Sequence, residues 1–367
     1  MPAPAASLAP SPPVGPAGWV ALGKPFVNLP VDYALIGGVF GLVLGFVAYG
    51  SGFRFDTDRF WLVLLLTSYA HFASSTVRLY SQPGAVSRWP FLTLGVPIVT
   101  LAITSGLLFF SGRETWRAVE GFYLSWSTYH YAAQTFGLAV MYAYRSGCDL
   151  GPTERRWVRV ACLLPFVYGI LGPASGLSLL VPAGHWTEGA FGAARSGLRL
   201  AVLPLLLLAP ALVFLHVRRA RGRVLPLISL VLMYGNAAFW AFFLDRDAFA
   251  WAAIAHALQY LAIVTVFHVK DAARAPGNTH GRLYHAVGFY GVSLALAYGL
   301  FELWPRFYGV FWINLDRPST GRHIIWIINI HHFLVDGYIW KLRGDRNLTV
   351  VVDRAIAAPA PLGAPVP

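Results

Sequence analysis

The sequence predicts an all-α fold: a polytopic transmembrane helical bundle of about ten spans with both termini in the cytoplasm. Three observations predict it. Of 367 residues, 57% are hydrophobic and only 12% are charged, whereas a soluble domain carries about 25% charged residues. Apolar runs near 20 residues recur along the chain, the length a helix needs to cross a hydrocarbon layer of about 30 Å. The basic residues gather in short segments between those runs, where they report orientation. The net charge of +12 is therefore a topology signal and not a nucleic-acid footprint. Two cysteines, Cys148 and Cys162, are too few for a disulfide framework.

Residues 1–25 read as a disordered tail. The first 18 are rich in Pro and Ala without Lys or Arg, so they lack the basic start and apolar stretch of a secretory signal. Residues 26–345 form the membrane domain. Residues 346–367 form a cytoplasmic tail with the same Pro/Ala character at its end.

The spans are expected at Val31–Gly50, Arg59–Tyr80, Pro90–Phe110, Trp116–Tyr144 and Trp157–Val181. They continue at Leu198–Val217, Val224–Leu244, Phe249–Val269, Leu283–Leu303 and His323–Leu342. The aromatic stretch Phe307–Trp312 suits an interfacial segment. If the N-terminus and every second loop lie on one side, that side holds 18 of the 28 Lys and Arg, Lys24, Arg145 and Arg218 among them. The positive-inside rule then makes it cytoplasmic.

This topology gives the histidines depths. His71 follows Arg59 by 12 residues and His130 follows Arg117 by 13. His256 follows Arg246 by 10, and His332 follows Arg322 by 10. At 1.5 Å per residue all four fall about 15–20 Å below the outer boundary. One turn further in lies a polar layer: Ser74 and Ser75, Gln134, Gln259 and Tyr260, and Asp336. A metal-bound histidine donates its second ring N–H to such partners. Tyr69, Tyr129, Asn236 and Asn329 add polar atoms at similar depth. His331 sits about 100° around the helix from His332, so either could be the ligand. His268, His285, His185 and His323 fall near the boundaries and read as interfacial. Asp32 reads as a helix-end residue.

A lone histidine in a span is as often a hydrogen-bonding link between helices as a ligand. Four at one depth point to a site, because polar groups in hydrocarbon are costly. The set His71, His130, His256 and His331 or His332 is a candidate metal site. Asp336 and Tyr260 are candidate catalytic groups, and Gln134, Gln259 and Asn329 are candidate cofactor-binding groups. Imidazole suits iron, copper and zinc, and no thiolate lies nearby. Several neutral His ligands with an open position suit Fe(II). A carboxylate-bridged cluster needs more acids at this depth than Asp336.

His71-Phe72, His256 and His332-x-x-x-Asp336 resemble the corresponding stretches of the bacterial membrane-type β-carotene 15,15'-dioxygenases. The resemblance implies a helical membrane enzyme holding non-haem iron on buried histidines and acting on a lipophilic substrate, in a bacterial inner membrane. That family's Gly-x-Pro-His-Gly motif is absent, and the first span has no histidine, so His130 stands in that ligand's place. His331-His332-Phe333 also resembles the paired copper ligands of haem–copper oxidases, but the accompanying Trp-x-x-x-His-Pro-Glu and His-x-His helices are missing. Haem held by two facing histidines stays open. A transporter or sensor using the histidines for ions or protons is the non-enzyme alternative. Its broken helices would be expected at the site, yet Pro165, Pro173 and Pro204 lie on spans without a mid-membrane ionisable group. The expected partners are membrane lipids and a lipophilic small molecule, with no nucleic acid.

Overall fold

The computed structural model describes residues 20–52, 60–182, 184–243, 245–311, 317–340 and 351. Both predicted tails, Arg59, Trp312, and Lys341 with the basic residues that follow it lie outside these, apart from residues 20–25 of the N-terminal tail and Val351 of the C-terminal one. Every regular element among the described residues is helical, as the composition predicts.

Helix α1 (Leu29–Val31) starts under Asn28, whose side chain accepts from the Val31 N–H, with Pro30 in the first turn. It runs into a π-helical turn, Asp32–Ile36, and stops at Gly38, whose φ of 81° suits glycine. Helix α2 (Val39–Gly50) leaves at a bend of 51°. A Cβ at Gly41 would lie 2.8 Å from the Ala255 Cβ, so only glycine lets α2 approach the helix carrying Ala255 and His256. Helices α3 (Trp61–Leu64) and α4 (Ala70–Tyr80) are joined by a π turn, Leu65–Tyr69, that ends two residues before His71. Helix α5 (Ala85–Arg88) is short. A π turn at Phe91–Gly95 leads into α6 (Val96–Phe110).

Helix α7 (Arg113–Arg145) is 33 residues long. The span predicted at Trp157–Val181 is instead two helices, α8 (Pro152–Ile170) and α9 (Gly176–Leu180). Gly172 and Pro173 lie in the break, where Pro173 has no N–H to donate to a preceding turn. Helix α10 (Gly189–Arg221) starts nine residues before the predicted Leu198 and ends at Gly222, φ 61°. Arg221 reaches back to Glu154 at 2.7 Å, and that hydrogen bond holds the Glu154 carboxyl below the usual carboxylate range.

Helices α11 (Leu227–Phe242) and α12 (Asp245–Ala273) follow. Helix α13 (Arg282–Tyr298) continues through a π turn, Gly299–Leu303, into α14 (Trp304–Phe311). The described part of the stretch expected to be a separate interfacial segment, Phe307–Phe311, thus continues the helix that starts at Arg282, whose apolar part is Arg282–Phe307. Helix α15 (Arg317–Ile339) closes the described fold.

Among the described residues, four helices are long and apolar enough to cross a membrane: Phe91–Phe110, Gly189–Arg221, Asp247–Ala273 and Arg282–Phe307. The bent pair α1–α2 is a fifth if counted as one span. This is fewer than the ten predicted. Of the helices bearing the mid-depth histidines only α12 belongs to the set, because α4, α7 and α15 carry polar faces turned inward. Helix α12 is the centre of the bundle. Of its apolar window 61% is buried, against 22–28% for the other three. Their bare apolar faces, such as Leu200, Leu208 and Leu212 of α10, are what a lipid-facing surface requires.

Candidate metal centre

The site is assembled where α12 and α15 each pack against both α4 and α7. Each helix delivers one histidine: His71, His130, His332 and His256 in that order. Their ligating nitrogens all lie within 4.8 Å of one another; four donors around one ion with bonds of about 2.0–2.1 Å stand about 3.4 Å apart in a tetrahedron, so the rings would close inward on a bound ion. The rings form a closed circuit. His71 is 4.3 Å from His332 and 4.8 Å from His256 by ring centroids; His130 is 4.9 Å from His256 and 5.2 Å from His332. His71 and His130 face each other across it at 6.5 Å. The π turn before His71 inserts an extra residue into the helix, a device frequent at functional sites.

The lone pairs of these rings are the decisive observation. Both ring nitrogens of His71 and of His256, and Nε2 of His130 and of His332, are buried without a hydrogen-bond partner. A buried polar atom left unpaired costs about 1–3 kcal/mol. Six in one cluster, on four different helices, are a large local penalty, and a coordinated cation would relieve four of them, one on each ring. The donor set fits a first-row divalent metal.

The polar layer predicted one turn away is partly assembled around them. Ser75 Oγ lies 2.9 Å from His332 Nδ1, which leaves His332 Nε2 turned to the cluster. The Tyr260 hydroxyl donates to Asp336 Oδ1 at 2.6 Å, and Trp340 Nε1 donates to the Tyr260 oxygen at 3.3 Å. Asp336 Oδ2 stands 3.4 Å from His332 Nε2 and 3.7 Å from His130 Nε2. Asp336 thus borders the quartet with one oxygen and is held by Tyr260 with the other.

Other expected groups go elsewhere. Gln134 Nε2 donates to the His256 carbonyl, tying α7 to α12, so that amide positions a ligand helix. Gln259 lines a void of about 20 Å³ with His256, Asn236, Gly37 and Gly38, room for one water. Asn329 is buried with its Nδ2 unpartnered and is not part of the quartet. His331 is half-buried and outside the quartet as well; of the adjacent pair the fold selects His332. Ser74 donates to the His71 carbonyl, and Tyr69 stacks on Phe301.

The boundary histidines have their own partners. His268 stacks on Phe289, His285 Nε2 meets Asn278 Oδ1 at 2.8 Å, and His323 stacks on Trp116; His185 is exposed. Asp32 is a helix-end group as expected, but fully buried. It accepts from the Phe26 and Val27 amides and the Tyr142 hydroxyl.

Sequence reasoning assigned no role to Trp340. It also missed a cavity of about 390 Å³ that meets the quartet at His130 and is lined beside it by Asp336. The cavity lies between α7, α12 and α15, walled by Trp126, Tyr129, Phe333 and Trp340. Its signal was present as the stripe Trp126, Tyr129, His130, Ala133, Gln134, Gly137, which follows helical periodicity.

The chain matches no protein-family model, no curated protein and no solved structure. Fold and chemistry therefore rest on the residues themselves.

Proposed function

We propose that the protein is an integral membrane metalloenzyme, a non-haem iron oxygenase whose quartet His71, His130, His256 and His332 holds Fe(II) and which oxidises a lipophilic substrate drawn from the bilayer. The observation that carries the reading is the convergence of unpartnered imidazole nitrogens at the wall of an apolar cavity. Bound ferrous iron supplies the one-electron chemistry that activation of O₂ requires.

The chain's own groups would do the rest. Ser75 fixes the tautomer of His332 through Nδ1, so that Nε2 offers its lone pair. Tyr260 and Trp340 orient Asp336 at the border of the site. Asp336 Oδ2 is placed to hold a proton beside the metal site, while Tyr260 donates a hydrogen bond to Oδ1. The aromatic wall excludes water. Iron is preferred to haem because the rings of His256 and His332 pack against both His71 and His130 and fill the space between that facing pair, where a macrocycle would have to lie. It is preferred to a transport function because α7, α12 and α15 pass the site without proline.

The topology belongs to the same proposal. About ten spans, with both termini cytoplasmic, follow if α4, α7 and α15 cross the membrane inside a sleeve of the more apolar helices. The resemblance to bacterial membrane dioxygenases supports a bacterial inner membrane. The test is elemental analysis with an optical spectrum of detergent-purified protein. The expected result is close to one iron per chain without a Soret band. A Soret band, or a preparation with no bound transition metal after growth in iron, would overturn the reading.

A further inference from the structure

The cavity at the quartet has a direction. Its lining on α7 runs from Trp126 through Tyr129, His130, Ala133 and Gly137 to Met141, a helical stripe about 22 Å long at 1.5 Å per residue. His130 is not at an end of it. The groove extends about 6 Å from His130 toward Trp126 and about 16 Å toward Met141. It opens sideways, since Trp126 and Tyr129 are 40% and 36% exposed and Gly337 is exposed. Its floor is made by missing side chains. A Cβ built at Gly137 or at Gly337 meets no atom within 4 Å, so both glycines face the open space. No Lys or Arg is among its described lining residues, so nothing inside it pairs with an anionic headgroup.

We propose that this groove binds one extended hydrocarbon chain of an acyl lipid, lying along α7 with an interior carbon, not the chain end, beside His130. The proposal rests on the metal-site reading for its chemistry but not for its binding. Acyl chains lie along the bilayer normal, as a groove parallel to a crossing helix does. A chain can therefore slip in through the side opening while its headgroup stays at the interface. Gly137 and Gly337 are then the residues that determine specificity: they set how bulky a chain can pass the metal.

The test uses photolabelling of the full chain in detergent. The probes are two palmitic acid analogues, with a diazirine near the carboxyl group or at the chain end, mapped by mass spectrometry. A phosphatidylcholine carrying the same chains runs in parallel. Labelling there assigns an esterified membrane lipid, and labelling by the free acid alone assigns a free fatty acid. The two diazirine positions should label opposite ends of the stripe, one near Met141 and the other near Phe333 and Trp126. Exposed Leu205, Leu208 and Leu212 of α10 report ordinary lipid contact. Gly137→Leu and Gly337→Leu should lower groove labelling about tenfold, the loss expected for displacing a couple of buried methylenes, and leave α10 labelling unchanged. Both positions are helical with ordinary backbone angles, so leucine favours the fold. Groove labelling no denser than on α10, or unaffected by both leucines, overturns the proposal. Metal per chain is measured in the same samples. Groove labelling without metal supports the groove while removing the iron reading, and metal without groove labelling does the reverse.

Discussion

Ser75 and His332 are 257 positions apart in the chain, and the Ser75 hydroxyl lies 2.9 Å from His332 Nδ1. One turn of α4 thereby decides which nitrogen of a histidine on α15 faces the other three. Ser75→Ala should weaken metal retention by about 10–100-fold, as the loss of a partner behind a ligand commonly does, while Ser75→Thr should keep most of it. Metal titration of both variants is the measurement. Equal retention in the alanine variant would show that His332 needs no orienting partner.

The four histidines should behave as one unit. His71→Ala, His130→Ala, His256→Ala and His332→Ala are each expected to remove most of the metal, and any two together little more than one. His331→Ala, His268→Ala and His285→Ala should leave metal near wild type, since these rings lie outside the quartet. Metal per chain is read beside thermal stability. Four well-folded variants that all keep full metal would reduce the quartet to helix-to-helix contacts.

Asp336 and Tyr260 share a 2.6 Å hydrogen bond. Asp336→Asn should preserve the fold and lower metal affinity by about 10–100-fold. Tyr260→Phe removes the donor from a buried carboxyl oxygen and is expected to cost about 1–3 kcal/mol of stability. The double variant should show strong coupling, with a stability loss smaller than the sum of the two. Additive losses would mean that the pair does not act together.

Helix α2 should be intolerant of a side chain at Gly41, whose Cβ would lie 2.8 Å from that of Ala255. Gly41→Val is expected to destabilise the fold by about 1–3 kcal/mol and to loosen metal binding through the neighbouring His256. Gly50→Ala, where a Cβ meets nothing within 4 Å, is the control and should be near neutral. Thermal unfolding with metal analysis compares the two.

Reporter fusions at the two termini test the topology. Both reporters should report the cytoplasm. Opposite compartments would require an odd number of crossings and would remove the common depth from which the histidines were first grouped.

Much of the site was legible because polar groups are scarce in an apolar chain. His71, His130, His256 and His332 stand out against their neighbours, and counting residues from the preceding arginines put them at one depth. The spacing of His332 and Asp336 placed both on one face of a helix. Boundaries were less legible. The break at Leu171–Ser175 and the unbroken run from Arg282 to Phe307 depend on packing, and apolar content alone made one span of the first and two segments of the second.

The sequence by itself determined the helical class, the membrane-compatible composition and the candidate ligands His71, His130, His256 and one of His331 and His332, because hydrophobic periodicity and depth are properties of position along one helix. Only the tertiary structure decided between His331 and His332, turned Gln134 and Gln259 away from direct ligand roles, joined Asp336 to Tyr260 and Trp340, and left a groove over Gly137 and Gly337. Those outcomes depend on how each helix is rotated about its axis against three others. That rotation is set by close contacts such as Gly41 on Ala255 and by links such as Gln134 to the His256 carbonyl, which join residues far apart in the chain and leave no trace in local pattern.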